Sequence, residues 1–191
     1  MPTPDDVADA DLAAAAAGGD RSALEALLNR HAARVHAICR RVLAHPEDAL
    51  DATQEALLAI SRGIERFDGR AQFTTWMYRV ATNAALDEAR RRKRRPVPAE
   101  VLIERADGGP GMADTVADRL DIDAALARIP EEFRAAVALR DLAGLDYAEI
   151  SETLGIPAGT VRSRISRGRA ALAALIGNRE HGGERPNEQR P

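Results

Sequence analysis

Hydrophobic residues recur at helical spacing through the first half of the chain. From residue 20 onward they stand three, four or seven positions apart, as one face of a helix requires: Leu24, Leu27, Leu28, Val35, Ile38 and Val42. A second helix is predicted from Pro46, because acids fill its first turn and apolar positions follow: Leu50, Leu57, Leu58 and Ile60. After a glycine-containing loop, "RFDGRAQ", a third helix is predicted to run into the basic block "RRRKRR", with an apolar face at Phe73, Trp76, Met77, Val80 and Ala84.

Helical spacing stops after residue 95 and resumes near residue 120. The intervening stretch is rich in proline and glycine, which is typical of a linker. No strand-like alternation and no internal repeat is present, so we expect an all-α fold of two small helical domains joined by a flexible linker. The expected divisions are an acidic N-terminal segment at 1–19, a first domain at 20–95, a linker at 96–118, a second domain at 119–176 and a disordered tail at 177–191.

The stretch "YAEISETLGIPAGTVRSRISRGRAAL" predicts a helix-turn-helix. The first helix is expected around Asp146 to Leu154, and Gly155 suits the left-handed residue that ends a helix. Pro157 suits the first turn of the next helix. In this motif the second helix enters the major groove of DNA, so the chain is expected to bind DNA through its C-terminal domain.

A helical wheel of the second helix separates its residues by role. Val161, Ile165, Gly168 and Leu172 fall on one stripe, which should face the core, and the small residues Gly159, Ser163, Ser166 and Ala170 lie opposite. Arg162 and Arg167 flank the small strip, whereas Arg164 and Arg169 lie nearer the core boundary. An arginine side chain can donate two hydrogen bonds at once to a guanine edge or to a phosphate. The candidate DNA-contacting residues are Thr160, Arg162, Ser163, Arg164, Ser166, Arg167 and Arg169.

Charge is segregated along the chain, although the net charge of the 191 residues is only -3. Basic blocks alternate with acidic segments, which favours basic surfaces joined by acidic connectors. A merely solvated amphipathic helix would explain the arginines of the last helix, but not the Gly155–Pro157 turn, the helix before it and the small-residue strip. No long apolar run or basic leader is present, so we expect a cytoplasmic chain without membrane insertion.

These stretches resemble the extracytoplasmic-function sigma factors of the sigma-70 family. "LGIPAGTVRSRISRGRAAL" is similar to the DNA-reading end of that family, and "IPEEFRAAVALRDLAGLDYAEI" continues the match. Separately, "PEDALDATQEALLAI" resembles its polymerase-docking helix, and "FDGRAQFTTWMYRVATNAALDEARRRKRR" resembles its promoter-melting segment. Leu50 stands where the family often has Glu, and Asp146 where Ser is common. Two motifs in the family's order, covering roughly residues 20–175, make the resemblance specific.

The resemblance implies a sigma factor that binds core RNA polymerase at its clamp and flap regions and recognises two elements of promoter DNA. The first domain, sigma region 2, would bind polymerase through Asp48, Asp51, Gln54 and Glu55. The second, sigma region 4, would bind the upstream element as duplex through the residues of the last helix. An anti-sigma factor is a further partner that the resemblance implies, although no residue identifies it.

Opening DNA requires a place for an unstacked base, whose extrusion costs a few kcal/mol. The loop before the third helix and that helix supply the candidates for the downstream element: Phe67, Asp68, Arg70, Trp76, Arg79 and Asn83. Arg79 and the Arg90–Arg95 block can follow phosphates. By its spacing alone Trp76 is expected to belong mainly to the core, whereas the resemblance directs its edge toward melted DNA.

Other classes of function are weighed on the same residues. His31, His36 and Cys39 do not complete a tetrahedral metal set, and a buried cysteine with surface histidines is the expectation. No cofactor or catalytic group is indicated, so the chain is not expected to be an enzyme, and a nucleic-acid-modifying activity is disfavoured. The alternative is a stand-alone helix-turn-helix regulator whose N-terminal helices dimerise.

Overall fold

A computed structural model of the chain describes residues 7–94 and 122–180, with side chains described up to residue 176. All regular secondary structure within these ranges is helical. The helices are α1 (Asp9–Ala17), α2 (Arg21–Val42), α3 (Pro46–Gly63), α4 (Phe73–Arg94), α5 (described over residues 122–127), α6 (Glu131–Val137), α7 (Tyr147–Leu154) and α8 (Ala158–Glu180). The all-α prediction is confirmed. The predicted linker lies outside the described residues. Residues 177–180, which were predicted to begin a disordered tail, continue α8 instead, and the rest of that predicted tail lies outside the described residues.

Helices α2, α3 and α4 pack together as the first domain, and local signals set where they begin. The Asp20 carboxylate caps α2 by accepting hydrogen bonds from the backbone N–H groups of Ser22 and Ala23. Pro46 occupies the first turn of α3, as predicted. The apolar core between the three helices includes Leu27, Val35, Ile38, Ile60 and Met77.

The face that α3 buries differs from the predicted one. Ile60 is buried, but Leu50 is 55% exposed and Leu58 is 47% exposed. Small residues make the contact instead, and these are Ala49, Ala52 and Ala56. Because alanine lets helix backbones approach closely, α3 packs on α2 and α4 through its alanines and leaves two leucines in solvent.

Helix α1 was not predicted, since residues 1–19 were treated only as an acidic segment. Its sequence, "DADLAAAAA", carried a usable signal, because alanine has the highest helix propensity. Leu12, Ala13 and Ala16 are buried against the first domain. The Asp9 carboxylate lies 2.6 Å from Arg30 Nη1.

The expectation that the histidines lie at the surface is wrong for His31, which is 1% exposed. Its Nε2 lies 2.8 Å from Asp9 Oδ2, and its ring centroid lies 5.5 Å from that of Phe73. Burial lowers the pKa of His31 below its usual value, although the Asp9 carboxylate opposes this shift. The histidine therefore joins α1 to the core, which its sequence spacing did not indicate.

The second domain begins at α5 and is held together by short turns. A single π-helical turn at Ala138–Leu142 follows α6, and α7 begins with a capping box in which Asp146 and Glu149 each accept a hydrogen bond from the other's backbone N–H. Gly155 adopts the left-handed conformation, with a φ of 63°. Its predicted role in the helix-turn-helix is confirmed, and α8 begins one residue after Pro157.

Helix α8 crosses α6 at Gly168, where the two helices are unusually close. A β-carbon at this position would lie 2.6 Å from Val137 Cγ2 and 3.2 Å from the backbone oxygen of Phe133. Glycine is therefore required by a close approach and not by a backbone conformation. This contact sets the height of α8 above the core of the second domain.

The two domains are in contact through apolar and polar side chains, and Ala135 and Ala138 of the second domain are part of the buried apolar cluster of the first. Arg134 is 6% exposed, and its Nε donates a 2.7 Å hydrogen bond to the carbonyl of Val42 at the end of α2. Its Nη1 lies 3.3 Å from the carbonyls of Leu126 and Ala127 at the end of α5. One buried guanidinium thus satisfies the last carbonyls of helices from both domains. Among the described residues, three ion pairs also join the two domains: Arg41–Asp123, Arg79–Glu152 and Lys93–Glu131.

No helix within the described ranges is both long enough and apolar enough to cross a membrane.

Replacing Gly168 by alanine is expected to destabilise the protein by about 1–3 kcal/mol, because the added methyl group overpacks the contact with α6. Thermal unfolding followed by circular dichroism measures the change. Gly159→Ala is the matched control on the same helix. Its β-carbon would meet nothing within 4 Å, so this change is expected to be neutral or to stabilise by up to about 1 kcal/mol. Equal effects of the two substitutions would contradict the packing argument.

Arg134→Gln is expected to loosen the contact between the domains. The shorter, neutral side chain loses the charged hydrogen bonds to carbonyls on α2 and α5, which are worth about 1.5–3 kcal/mol each. Spin labels at exposed Ser22 and Ala170 report the separation of the domains, and it should broaden in the variant. The exposed Arg128→Gln is the control, and a distance distribution unchanged by Arg134→Gln would refute the role.

Candidate nucleic-acid interface

Helix α8 presents the surface that the wheel predicted. Val161, Ile165 and Gly168 are buried against the second domain, and Leu172 is half-buried at the end of the same stripe. The opposite side is open to solvent along Gly159, Ser163, Ser166 and Ala170, and Arg162 and Arg167 are exposed beside it. Thr160 and Arg164 are half-buried. A small-residue strip bordered by arginines can approach the floor of a major groove.

Folding gives the four arginines of α8 different surroundings. Arg169 Nε lies 3.1 Å from Asp141 Oδ2, and hydrogen bonding to that carboxylate raises the pKa of the Arg169 guanidinium. The guanidinium carbon of Arg162 lies 5.6 Å from the centre of the Tyr147 ring. Arg164 and Arg167 have no side-chain hydrogen bond or ion pair to the described part of the chain. Two of the four arginines are therefore held by contacts within the protein, and the other two have no side-chain partner among the described residues.

The loop before α4 carries three of the candidates for the downstream element. Asp68 and Arg70 are exposed and pair with each other, with 3.1 Å between Arg70 Nε and Asp68 Oδ2. Phe67 is half-buried, and its ring centroid lies 6.0 Å from that of Phe73 and 5.4 Å from that of Trp76. The structure thus brings an aromatic cluster and a polar loop tip to one end of α4.

Trp76 lies at the edge of this cluster. It is half-buried, and a β-carbon at Gly63 would lie 3.1 Å from its six-membered ring. Its neighbours Phe73 and Met77 are buried, whereas Trp76 is only partly buried and packs against the margin of the core. Trp76 therefore packs partly on the protein and is partly accessible to solvent, and its contact with melted DNA stays a prediction.

Arg79 and Asn83 lie further along α4 and differ in what they contact. Arg79 Nη2 lies 2.6 Å from Glu152 Oε2 on α7, so the helix-turn-helix occupies it in this structure. Asn83 is exposed and lines a shallow groove between α3 and α4 together with Glu55. Candidates for DNA and for polymerase contact therefore meet along this groove.

The basic block at the end of α4 is largely paired with acids. Arg90, Arg91, Arg92 and Lys93 each contact a carboxylate, and the partners are Asp87, Glu88, Asp48 and Glu131. The expectation that this block follows phosphates was based on its charge alone. Such contacts have to compete with these internal ion pairs. The Arg90–Asp87 pair is exposed on both sides and is individually weak, whereas the carboxylates of Asp48 and Glu88 are largely buried.

The four residues expected to bind polymerase do not share one environment. Asp51, Gln54 and Glu55 are exposed on α3, whereas Asp48 is 9% exposed and accepts a hydrogen bond from Arg92. The exposed Leu50 and Leu58 stand one turn before and one turn after Gln54. Their spacing predicted a buried face, but both are exposed because α3 packs on its neighbours through alanines.

The histidines and the cysteine of α2 do not come together as a site. Cys39 is buried, as expected, and burial raises the pKa of its thiol to about 11. His36 Nδ1 lies 3.1 Å from the hydroxyl of Thr53 on α3. In the part of the chain that the structure describes, no three His, Cys, Asp or Glu side chains are grouped as metal ligands would be.

Two protein families match the chain in separate stretches. Residues 27–95 match the family described as sigma-70 region 2, and residues 119–172 match sigma-70 region 4. The ECF RNA polymerase sigma factor SigM of Mycobacterium tuberculosis (strain H37Rv) is 39% identical over 170 residues, which cover 88% of this chain and 85% of SigM. The chain belongs to the extracytoplasmic-function sigma factors. As a sigma factor it recognises promoters and directs the initiation of transcription, and its partners are core RNA polymerase and promoter DNA.

Solved structures share the fold of this sigma factor. CnrH, determined in complex with the cytosolic domain of CnrY, is 25% identical with a TM-score of 0.64, and the match covers 89% of this chain and 97% of CnrH. The sigma factor RpoE of Bartonella quintana, determined with the anti-sigma factor NepR, is 22% identical with a TM-score of 0.62, over 78% of this chain and 94% of that chain. The family assignment confirms the resemblance noted from the sequence. Sigma factors are not enzymes.

Proposed function

We propose that the two helical domains divide promoter recognition between them. The first, at 20–95, binds polymerase and opens DNA at the downstream element, and the second, at 119–176, binds the upstream element as duplex. Linker 96–118 tethers them. The observation that carries the proposal is the surface of α8, which exposes Arg162, Ser163, Ser166 and Arg167 while it buries Val161 and Ile165.

At the upstream element, α8 lies in the major groove with its small-residue strip facing the bases. Arg162 and Arg167 border this strip and read base edges, and Ser163 and Ser166 allow the close approach. Arg164 and Arg169 stand further from the strip and contact phosphates, together with Thr160 at the start of the helix. Arg169 does so while its partner Asp141 limits its motion.

At the downstream element, the loop before α4 receives an extruded base. Asp68 and Arg70 offer polar groups to its edge, and Phe67 with Trp76 forms an apolar wall. Asn83 is accessible to the strand along α4, and Arg79 contacts a phosphate once its pair with Glu152 opens. That pair is one-third or more exposed on both sides, so breaking it costs little.

The polymerase surface of the first domain is centred on Gln54. Asp51 and Glu55 supply charge to a basic clamp helix, while Leu50 and Leu58 add apolar area on either side of the glutamine. Charge complementarity of this kind sets the rate and specificity of association. Asp48 acts indirectly by holding Arg92 against the start of α3. The second domain contacts the flap region.

Further properties follow from family membership. Family membership implies an anti-sigma factor as a regulatory partner, and we include one among the partners of this chain. The chain acts in the cytoplasm, where its polymerase is found, and it carries out no catalysis of its own.

Run-off transcription with core polymerase on genomic fragments tests the proposed function and identifies the promoters. Promoter duplex should bind poorly to the chain alone and well to the chain with core polymerase. A stand-alone helix-turn-helix regulator would instead bind its operator tightly without polymerase and would not stimulate transcription.

Gln54→Ala combined with Glu55→Ala is expected to weaken core polymerase binding by about 1–3 kcal/mol, because both side chains lie on the exposed centre of the proposed surface. Affinity is measured by titrating labelled chain with core enzyme. Glu25→Ala on the exposed side of α2 is the control and should bind normally. Normal core binding by the double variant would remove this assignment.

Arg162→Ala and Arg167→Ala are each expected to cost about 1–3 kcal/mol of upstream-element recognition if the side chains read bases. Transcription from promoters with a randomised upstream element measures the preference of each variant. Arg128→Ala, an exposed arginine outside the helix-turn-helix, should leave the preference unchanged. An unaltered base preference in the Arg162 and Arg167 variants would refute their reading role.

A further inference from the structure

Tyr147 stands at the first position of α7, and its ring contacts the side chains of two arginines. The guanidinium carbon of Arg140 lies 5.2 Å from the ring centre, and that of Arg162 lies 5.6 Å from it. The tyrosine is 36% exposed, so it lies at the surface of the second domain and not in its core. A guanidinium within about 6 Å of an aromatic ring is attracted to its face.

The ring itself is held in place. Arg140 donates a 2.8 Å hydrogen bond to the carbonyl of Leu145, which fixes one of the two guanidiniums that meet the ring. The capping box of Asp146 and Glu149 fixes the first turn of α7, where Tyr147 begins the helix. Tyr147 therefore offers Arg162 a contact surface whose position is set by the turn between α6 and α7.

The contact distinguishes Arg162 from Arg167. On the wheel of α8, Arg162 and Arg169 lie on the side of Tyr147 and Asp141, whereas Arg164 and Arg167 lie on the other side. Arg169 is paired with Asp141, and Arg162 is stacked on Tyr147. On the far side, Arg167 is exposed and has no side-chain partner within the described residues.

We propose that Tyr147 is a positioning residue that holds Arg162 ready for the upstream element. The inference rests on the proposed function, in which Arg162 reads that element. A free arginine has many rotamers, and ordering it at an interface costs binding energy. Stacking on Tyr147 already restricts the Arg162 side chain in the free protein, so less ordering remains to be paid for when DNA binds. Recognition through Arg162 is therefore preorganised by the protein, whereas Arg167 is ordered by DNA.

The test uses core polymerase loaded with full-length chain, and compares a promoter fragment carrying the upstream element with one in which it is scrambled. Tyr147→Leu is expected to weaken binding of the intact fragment about two- to tenfold. Binding of the scrambled fragment should not change. Tyr147→Phe keeps the ring and should bind as the parent chain does. Leu142→Ala, which removes another exposed apolar side chain of the same domain, is the control and should be neutral.

A double-substitution cycle separates positioning from direct contact. In the Arg162→Ala chain, adding Tyr147→Leu should cause no further loss, because the tyrosine acts through the arginine. An equal loss in both backgrounds, no loss from Tyr147→Leu alone, or a loss from Tyr147→Phe would each overturn the inference. If Arg162→Ala itself leaves binding unchanged, the reading role of Arg162 fails and the inference fails with it.

Nuclear magnetic resonance of the arginine side chains tests the contact in the chain without DNA. In Tyr147→Leu, relaxation of the Nε–Hε signal should show that the Arg162 side chain is more mobile. The same signal should also lose the chemical-shift contribution of the tyrosine ring current. The signal of Arg167 is the internal control and should not change. An Arg162 signal that is equally mobile in the parent chain and in Tyr147→Leu would overturn the inference, even if the substitution also lowered stability.

Discussion

At Gly168, α8 comes so close to α6 that a β-carbon would lie 2.6 Å from Val137 Cγ2. This approach seats Val161 and Ile165 in the core of the second domain and thereby decides which side of α8 remains outside. The exposed strip of glycine, serine and alanine, and the arginines beside it, owe their position to that seating. The turn at Gly155 sets the direction in which α8 leaves α7, so the two glycines together orient the surface that we propose meets the promoter.

The acidic residues of this sigma factor hold many of its arginines in place. Asp9 contacts Arg30, Asp48 contacts Arg92 and Asp141 contacts Arg169, in each case between different elements of the fold. Arg134 is held by backbone carbonyls instead, and it links the ends of α2 and α5. Acidic and basic residues that are far apart in the sequence are thus partly paired in the folded protein. What remains open to solvent beside the small strip of α8 is a short basic surface, which suits a protein that meets DNA together with polymerase.

Local rules predicted the helices well, because their signals lie within a few residues of one another. Pro46 begins α3 and Gly155 ends α7, each as predicted, and Asp20 caps α2, which its side-chain chemistry favours although it was not predicted. The same rules were wrong for Leu50 and Leu58, which the periodicity placed on the buried side of α3. A helix that carries both an alanine stripe and a leucine stripe can pack through either one. In this fold α2 and α4 contact the alanine stripe of α3, so the two leucines are exposed.

The sequence by itself determined the all-α class, the helix-turn-helix, the inner stripe of α8 and membership of the sigma factor family, since all of these depend on the order and spacing of residues. Only the tertiary structure decided which charges are satisfied internally. It buried His31 against Phe73, paired Asp48 with Arg92 and placed Tyr147 beside Arg162. The physical reason is that these contacts join residues on different helices, and their distances depend on how the helices pack.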